Sequence, residues 1–429
     1  MLLLFACSVT ACGAGGVRAR IGVSSMVSMF DQALHIIVTG LPANRRVTIV
    51  LRSTDANGIS WSSHAVFRAD PKGVVDLATA SALSGGYVGV NPMGLVESMQ
   101  PTRHQPVAYI WRQQDRFSLE VEGAHGSTLA MKTFVRRLVA PGVSVAKETL
   151  AAVGFVGAFV KPPATTPRHP AVLLIGGSEG GFGGVLSSYA LAAAGYPTLD
   201  IAYFKEPGLP SQLKDIPLGY FAKALRWMSA QPGVLPHDLY VSGVSRGSEA
   251  ALLLAVHYPV LVHGVIASSP SDLSFGSFPV PGFPAWTYHG RAVPYFRGLA
   301  NPLVPTIDPA ATIATRRIRG PIFLDCGTAD FVWPSCSYAA AIQQGLTAAH
   351  DQYPHVLYRY RGAGHFVGSL IPYEPVSAKD SSYRNGDGAT PLANSNAEAR
   401  LWPKVLEFLS GRQLTATVTA PSTPPSPTR

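Results

Sequence analysis

Metal-ligand spacing is missing from this sequence. Neither H-E-x-x-H nor a paired C-x-x-C occurs, which argues against the common zinc sites. No metal and no other cofactor is expected. Nucleotide-binding loops are missing too. The glycine-rich stretch Gly176-Gly177-Ser178-Glu179-Gly180-Gly181 lacks the Lys-Ser/Thr of a P-loop and does not fit G-x-G-x-x-G. Beyond the first dozen positions no run of 18 apolar residues occurs, so no internal membrane span is expected. Charge is sparse, at 14% of residues, with 34 Lys plus Arg against 25 Asp plus Glu and a formal net charge of +9. An excess of that sign attracts nucleic acid, anionic lipid or phosphorylated substrates. Its densest spots are Arg45-Arg46, Arg136-Arg137 and Arg316-Arg317-Ile318-Arg319. None is a long run and no nucleic-acid motif accompanies them. They read as a solvated basic face, and no nucleic-acid partner is expected.

Cysteine is nearly absent, with four in 429 residues. Cys7 and Cys12 fall in the opening MLLLFACSVTACG. There Val9-Thr10-Ala11-Cys12 resembles the lipobox of bacterial lipoproteins. A secretory signal begins with basic residues, and here the first is Arg18. The expectation is a signal segment over residues 1–16, export, and a lipid anchor on Cys12. A cytoplasmic protein with a disordered start or an N-terminal strand is the alternative. Cys326 and Cys336 are then the only pair in the folded body. In an exported protein they suggest a disulfide, with two buried free thiols as the alternative.

What is present is apolar material, 47% of the chain, in two patterns. Residues 17–140 carry short apolar or alternating runs split by turn signals: Leu41-Pro42-Ala43-Asn44, Asp55-Ala56-Asn57-Gly58 and Asp70-Pro71-Lys72-Gly73. That rhythm predicts an all-β, immunoglobulin-like sandwich without catalytic groups. Residues 141–170, with Pro162, Pro163, Pro167 and Pro170, read as a linker. From 171 to 412 strand and helix signals alternate, which predicts a mostly parallel sheet with helices on both faces. The apolar run 171–175 is its first strand. Residues 217–229 form a helix with Leu218, Phe221, Ala222, Leu225 and Met228 on one face. Residues 413–429 are rich in Thr, Pro and Ser and are expected to be disordered.

The chemistry gathers in the second region. Gly243-Val244-Ser245-Arg246-Gly247 fits the G-x-S-x-G nucleophile elbow, between an apolar strand and an amphipathic helix. Glycines belong there because the serine sits on a tight strand-to-helix turn that bulky neighbours would block. An α/β-hydrolase domain follows, with its triad in the order Ser, acid, His. His365, in Gly362-Ala363-Gly364-His365-Phe366 after a strand-like run, is the expected base. Two acids follow the preceding strand, Asp325 and Asp330. Asp330 is favoured because it lies in the loop beyond the strand end, whereas Asp325 is still at the strand terminus. The oxyanion hole is expected from the Arg246 amide and the glycine loop, at Gly177 and Ser178.

These stretches, with four others, resemble the acyl-CoA thioesterases related to bile acid-CoA:amino acid N-acyltransferase. The others are Tyr87-Val88-Gly89-Val90-Asn91-Pro92-Met93-Gly94-Leu95 with Ser98-Met99; Leu138-Val139-Ala140-Pro141-Gly142-Val143; Leu213-Lys214-Asp215-Ile216-Pro217-Leu218; and Asp330 with Trp333-Pro334-Ser335. The resemblance spans residues 20–410. It implies a β-sandwich followed by an α/β-hydrolase domain, and cleavage of fatty acyl-CoA. Within the family it pairs a serine nucleophile with hydrolysis and a cysteine with amide transfer. Two other functions use the same residues: an exported carboxylesterase or acyltransferase on a lipid ester, and an anchored binding module with a relict triad. A polar insertion is expected at residues 376–396.

Overall fold

The computed structural model describes residues 18–103, 108–377 and 388–411. The expected signal segment, the lipidation position Cys12 and the 413–429 tail lie outside the described residues. Among the described residues no helix is long and apolar enough to cross a membrane.

The N-terminal region is a β-sandwich. Strands Arg20–Val23, Ile36–Thr39 and Val75–Asp76 form one sheet. The other is built on Arg46–Thr54, Ser60–Arg68, Gln114–Glu122 and Thr128–Arg137, which pair antiparallel. Alternation drives the packing: in Ser60–Arg68 the residues Trp61, Ser63, Ala65 and Phe67 point inward and are buried. Arg136 departs from the solvated-face expectation. It is fully buried, and its guanidinium donates to the carbonyls of Phe30 and Gln32.

Beside a small three-stranded sheet formed by Ile216–Pro217, Trp286–Tyr288 and Arg291–Ala292, the second region is built on an eight-stranded sheet. In chain order its strands are β1 (Ser144–Glu148), β2 (Val156–Lys161), β3 (His169–Ile175), β4 (Thr198–Ala202), β5 (Val234–Val244), β6 (Gly264–Ser268), β7 (Ile322–Gly327) and β8 (His355–Tyr360). In space they run β1-β2-β4-β3-β5-β6-β7-β8. Strand β2 is antiparallel to both neighbours, and the strands from β4 to β8 are parallel. The helices are α1 (Val185–Ala193), α2 (Leu218–Ser229), α3 (Arg246–His257), α4 (Ser335–Ala348) and α5 (Pro391–Leu409). All five residues expected on the buried face of α2 are buried.

Two expectations are corrected. Residues 141–170 are not a linker: β1 and β2 lie there and extend the sheet. Of the prolines that suggested a connector, Pro162, Pro163 and Pro167 sit at the turn between β2 and β3, where no ladder N–H is needed, and Pro170 stands at the start of β3. Of the polar stretch expected as an insertion at residues 376–396, residues 378–387 lie outside the described residues and 391–396 form the start of helix α5. Thr390 caps that helix through its side chain, and Pro391 stands in its first turn, where its missing N–H costs nothing.

Strand order reverses at β3, between β4 and β5. Open α/β sheets bind ligands at such a switch point, beyond the carboxyl ends of the strands. The glycine loop leaves β3 there and the elbow leaves β5 there. The two regions also share a core: Phe30, Trp61 and Phe117 of the sandwich belong to the same buried cluster as Trp402 and Phe408 of α5.

Candidate active site

Ser245 stands between β5 and α3 with φ 56° and ψ −123°, a region that side-chain-bearing residues rarely adopt. Its amide donates to the Ser268 carbonyl of β6 at 3.1 Å. The turn is tight enough to dictate both glycines. A Cβ at Gly243 would lie 2.1 Å from the Gly247 carbonyl oxygen, and one at Gly247 would lie 2.1 Å from the Ile175 carbonyl oxygen of β3. Helix α3 begins at Arg246, so its first free amides and positive dipole end face the same crevice.

Asp330 follows β7 and is buried. Its carboxylate accepts four hydrogen bonds. Oδ1 takes the Val332 amide at 2.9 Å and the Trp333 amide at 3.2 Å. Oδ2 takes the Ser335 hydroxyl at 2.6 Å and pairs with His365 Nδ1 at 2.9 Å. Four donors from the following turn and from His365 fix the orientation of the carboxylate. His365 follows β8 at the head of the short turn His365–Ser369 and is also buried. Its carbonyl accepts the Ser269 hydroxyl at 2.7 Å, and the Trp333 ring stands edge-on to its imidazole, centroids 5.5 Å apart. The turn rests on the elbow strand, because a Cβ at Gly368 would lie 2.9 Å from Val244 Cγ2. Ser245, Asp330 and His365 therefore gather at the carboxyl ends of β5, β7 and β8.

The other acid, Asp325, is placed differently. It is wholly buried inside β7, accepts the Ser268 hydroxyl at 2.6 Å, and its other oxygen has no partner among the described residues. Burial pushes its carboxyl up to about 7.

The glycine loop lies against the elbow, with the Cβ position at Gly177 3.1 Å from Ser245 Cβ. The Tyr203 hydroxyl lies within hydrogen-bonding distance of the Gly176 and Gly177 carbonyls, at 2.8 and 2.9 Å. The Gly177 amide, expected to face an oxyanion, donates instead to Glu179 Oε1 at 2.7 Å. Of the three expected donors, the Gly177 amide is thus already taken. Sequence reasoning had passed over Glu179 because it treated the loop only as a string of glycines.

The Arg246 side chain is occupied elsewhere. Its Nε pairs with Glu249 Oε1 at 2.8 Å, and an NH2 donates to the Phe275 carbonyl at 2.8 Å. Glu249 in turn accepts the Trp286 indole at 3.1 Å and the Phe275 amide at 3.2 Å. This buried pair ties the 270–313 segment to the nucleophile helix. The i, i+3 spacing of a base and an acid after the serine was its signal in the sequence.

Cys326 in β7 and Cys336 at the start of α4 are joined, with a Cα–Cα distance of 5.2 Å and Asp330 in the loop between them. No cluster of His, Cys, Asp or Glu suited to a metal occurs among the described residues.

Fold and site together define an α/β-hydrolase domain preceded by a β-sandwich. Two family models match in tandem: the acyl-CoA thioester hydrolase/BAAT N-terminal region over residues 31–149, and the BAAT/acyl-CoA thioester hydrolase C-terminal region over residues 216–415. The chain belongs to this family. It is 29% identical to acyl-coenzyme A thioesterase 6 of Mus musculus, over 89% of this chain and 93% of the mouse protein. It is 28% identical to the peroxisomal succinyl-coenzyme A thioesterase of Mus musculus, over 91% and 95%. Among solved structures it has a distant likeness to dienelactone hydrolase from Anabaena variabilis, with TM-score 0.37 and 16% identity over 63% of this chain and 99% of that one.

Proposed function

We propose that the protein hydrolyses acyl-CoA thioesters through an acyl-enzyme on Ser245. The observation that carries this reading is the buried Asp330–His365 pair, 2.9 Å apart, at the strand ends beside a serine held at φ 56°. With Asp330 holding Nδ1–H, the other imidazole nitrogen, Nε2, is the one free to take a proton. In the first step His365 removes the Ser245 proton and the serine oxygen attacks the thioester carbonyl. The negative oxygen is held by the Arg246 and Ser178 amides. The carbon–sulfur bond breaks, the proton passes to the departing sulfur, and CoA leaves as thiol. His365 then draws a proton from water, which attacks the ester on Ser245; the ester bond breaks, the proton passes from His365 to the Ser245 oxygen, and the acid leaves.

Two features support an acyl-CoA substrate. The net charge of +9 suits the phosphates of CoA. Exposed apolar side chains also crowd the acid loop. Phe331 and Val332 adjoin Asp330, and Leu299, Leu303, Val304 and Ile307 lie in a segment tied to the same place, where the Thr306 amide meets the Tyr338 hydroxyl at 2.9 Å. The lipobox-like run ending at Cys12 supports, as part of this reading, a lipid anchor. The test is thiol release from acetyl-, octanoyl- and palmitoyl-CoA beside aryl esters. Turnover of a CoA thioester well above that of the aryl esters is expected. Turnover of aryl or lipid esters alone would make the protein a carboxylesterase. Inertness toward all of them in folded protein would make it a binding module.

A further inference from the structure

We propose that the β-sandwich acts, through helix α5, as the positioning element for the His365 turn. The proposal rests on the reading of His365 as the base and adds a role for the first domain, which contributes no reacting group.

Helix α5 meets the turn at both of its ends. The Gly364 amide, one residue before His365, donates to Asn394 Oδ1 at 2.8 Å. At the far end the Ser369 hydroxyl donates to the Glu398 carboxylate. Asn394 and Glu398 are four residues apart, so they share one face of the helix, and both are buried. The Ser369 carbonyl is also taken, by the Ser187 hydroxyl of α1 at 2.7 Å. Between these anchors the backbone of residues 364–369 has little room to shift. A base displaced by about an ångström costs on the order of a hundredfold in rate.

The opposite face of α5 is held by the sandwich. Asn396 lies two positions from Asn394, about 200° around the helix. Its Oδ1 accepts the Asn91 amide at 3.0 Å, and the same Asn91 amide donates to the buried Glu97 carboxylate at 2.6 Å. Asn91 Oδ1 accepts the Met93 amide at 3.0 Å, which fixes its orientation. Asn91 is therefore locked by its own turn before it reaches α5. These residues belong to the Asn91-Pro92-Met93-Gly94-Leu95 stretch, which is remote in sequence from the triad. The segment leaving the His365 turn returns to the sandwich as well: the Gln100 side chain donates to the Val376 carbonyl at 3.1 Å, and the Tyr109 amide to that of Pro375 at 3.3 Å. Asn394 and Asn91 are positioning residues, since neither lies among the atoms that react.

The test uses the full-length chain and a fluorophosphonate probe, which reports the reactivity of Ser245 without assuming a substrate. Labelling of the parent protein at Ser245 is the control on the triad. If the parent is not labelled, the reading of the site fails and the proposal fails with it. Asn394→Ala is expected to slow labelling by about tenfold or more and to lower kcat for thioester by a like factor with little change in KM. The pH at which labelling is half-maximal should also move, a change that lost stability alone does not produce. Asn91→Ala should slow labelling several-fold. Added to Asn394→Ala it should cost almost nothing, because both act through one helix. Asn91→Ser keeps the question open should Asn394→Ala fail to fold. Labelling rates and pH midpoints equal to the parent's in every folded variant would overturn the proposal. So would full additivity of the two losses.

Discussion

Replacing both Cys326 and Cys336 by serine probes the acid loop without touching a triad residue. The two cysteines are 10 residues apart. For a loop of that length the chain-entropy relation gives about 2.7 kcal/mol of stabilisation at room temperature. A domain of this size loses roughly 2–4 °C of Tm per kcal/mol, so a Tm lower by roughly 5–11 °C is expected. The effect on catalysis should be smaller. Asp330 keeps its two amide bonds, its Ser335 hydroxyl and its histidine without the bridge. However, Ser335 adjoins Cys336, so the hydroxyl that steadies Oδ2 gains freedom. A several-fold fall in kcat is expected, and dithiothreitol should reproduce both effects in the parent protein. Calorimetry with and without reductant, beside peptide mapping of unreduced protein, is the assay. Free thiols at both positions, or a double variant melting within about 1 °C of the parent, would refute the reasoning.

Three further outcomes are expected. Asp330→Asn should lower kcat by about 10³–10⁴, because the amide favours the wrong imidazole tautomer, whereas Asp325→Asn should cost less than about tenfold; the reverse ranking reassigns the acid. Asp325 also predicts a pH effect on stability. Its carboxyl is raised from 3.8 to about 7 in the folded protein, so it holds a proton there that the unfolded chain gives up. Its contribution is intact below pH 3.8, declines as pH rises and is gone once pH passes about 7, so Asp325→Asn should gain on the parent over that window, by up to about 4 kcal/mol. Parallel stability curves for the two would contradict it. Mass spectrometry of the native N-terminus should find lipid on Cys12, and an unprocessed Met1 would exclude it.

Much of the candidate site's geometry was legible because it is local in sequence. The elbow needs a glycine on each side of its central residue where a strand turns this sharply into a helix, and clashes of 2.1 Å at both glycines show why. Asp330 and His365 sit just past apolar strands, at the carboxyl edge of the sheet. What stayed hidden depends on partners far apart in the chain. Asn394 is one polar residue in a polar stretch until Gly364 is brought against it. The Gly177 amide looked available because nothing in the sequence says that Glu179 folds back onto it. Strands β1 and β2 were missed because the nearby prolines spoke louder than two short alternating runs. Arg136 read as solvated because burial of a guanidinium needs carbonyls supplied by residues 30 and 32, about a hundred positions away.

The central claim is that Ser245 carries the acyl group. Thiol release from acyl-CoA by Ser245→Ala, purified free of host esterases, tests it most directly. A fall in kcat of about 10⁴–10⁶ is predicted, leaving only what binding and the oxyanion amides supply. Turnover near that of the parent protein would contradict the assignment of the nucleophile and the mechanism built on it.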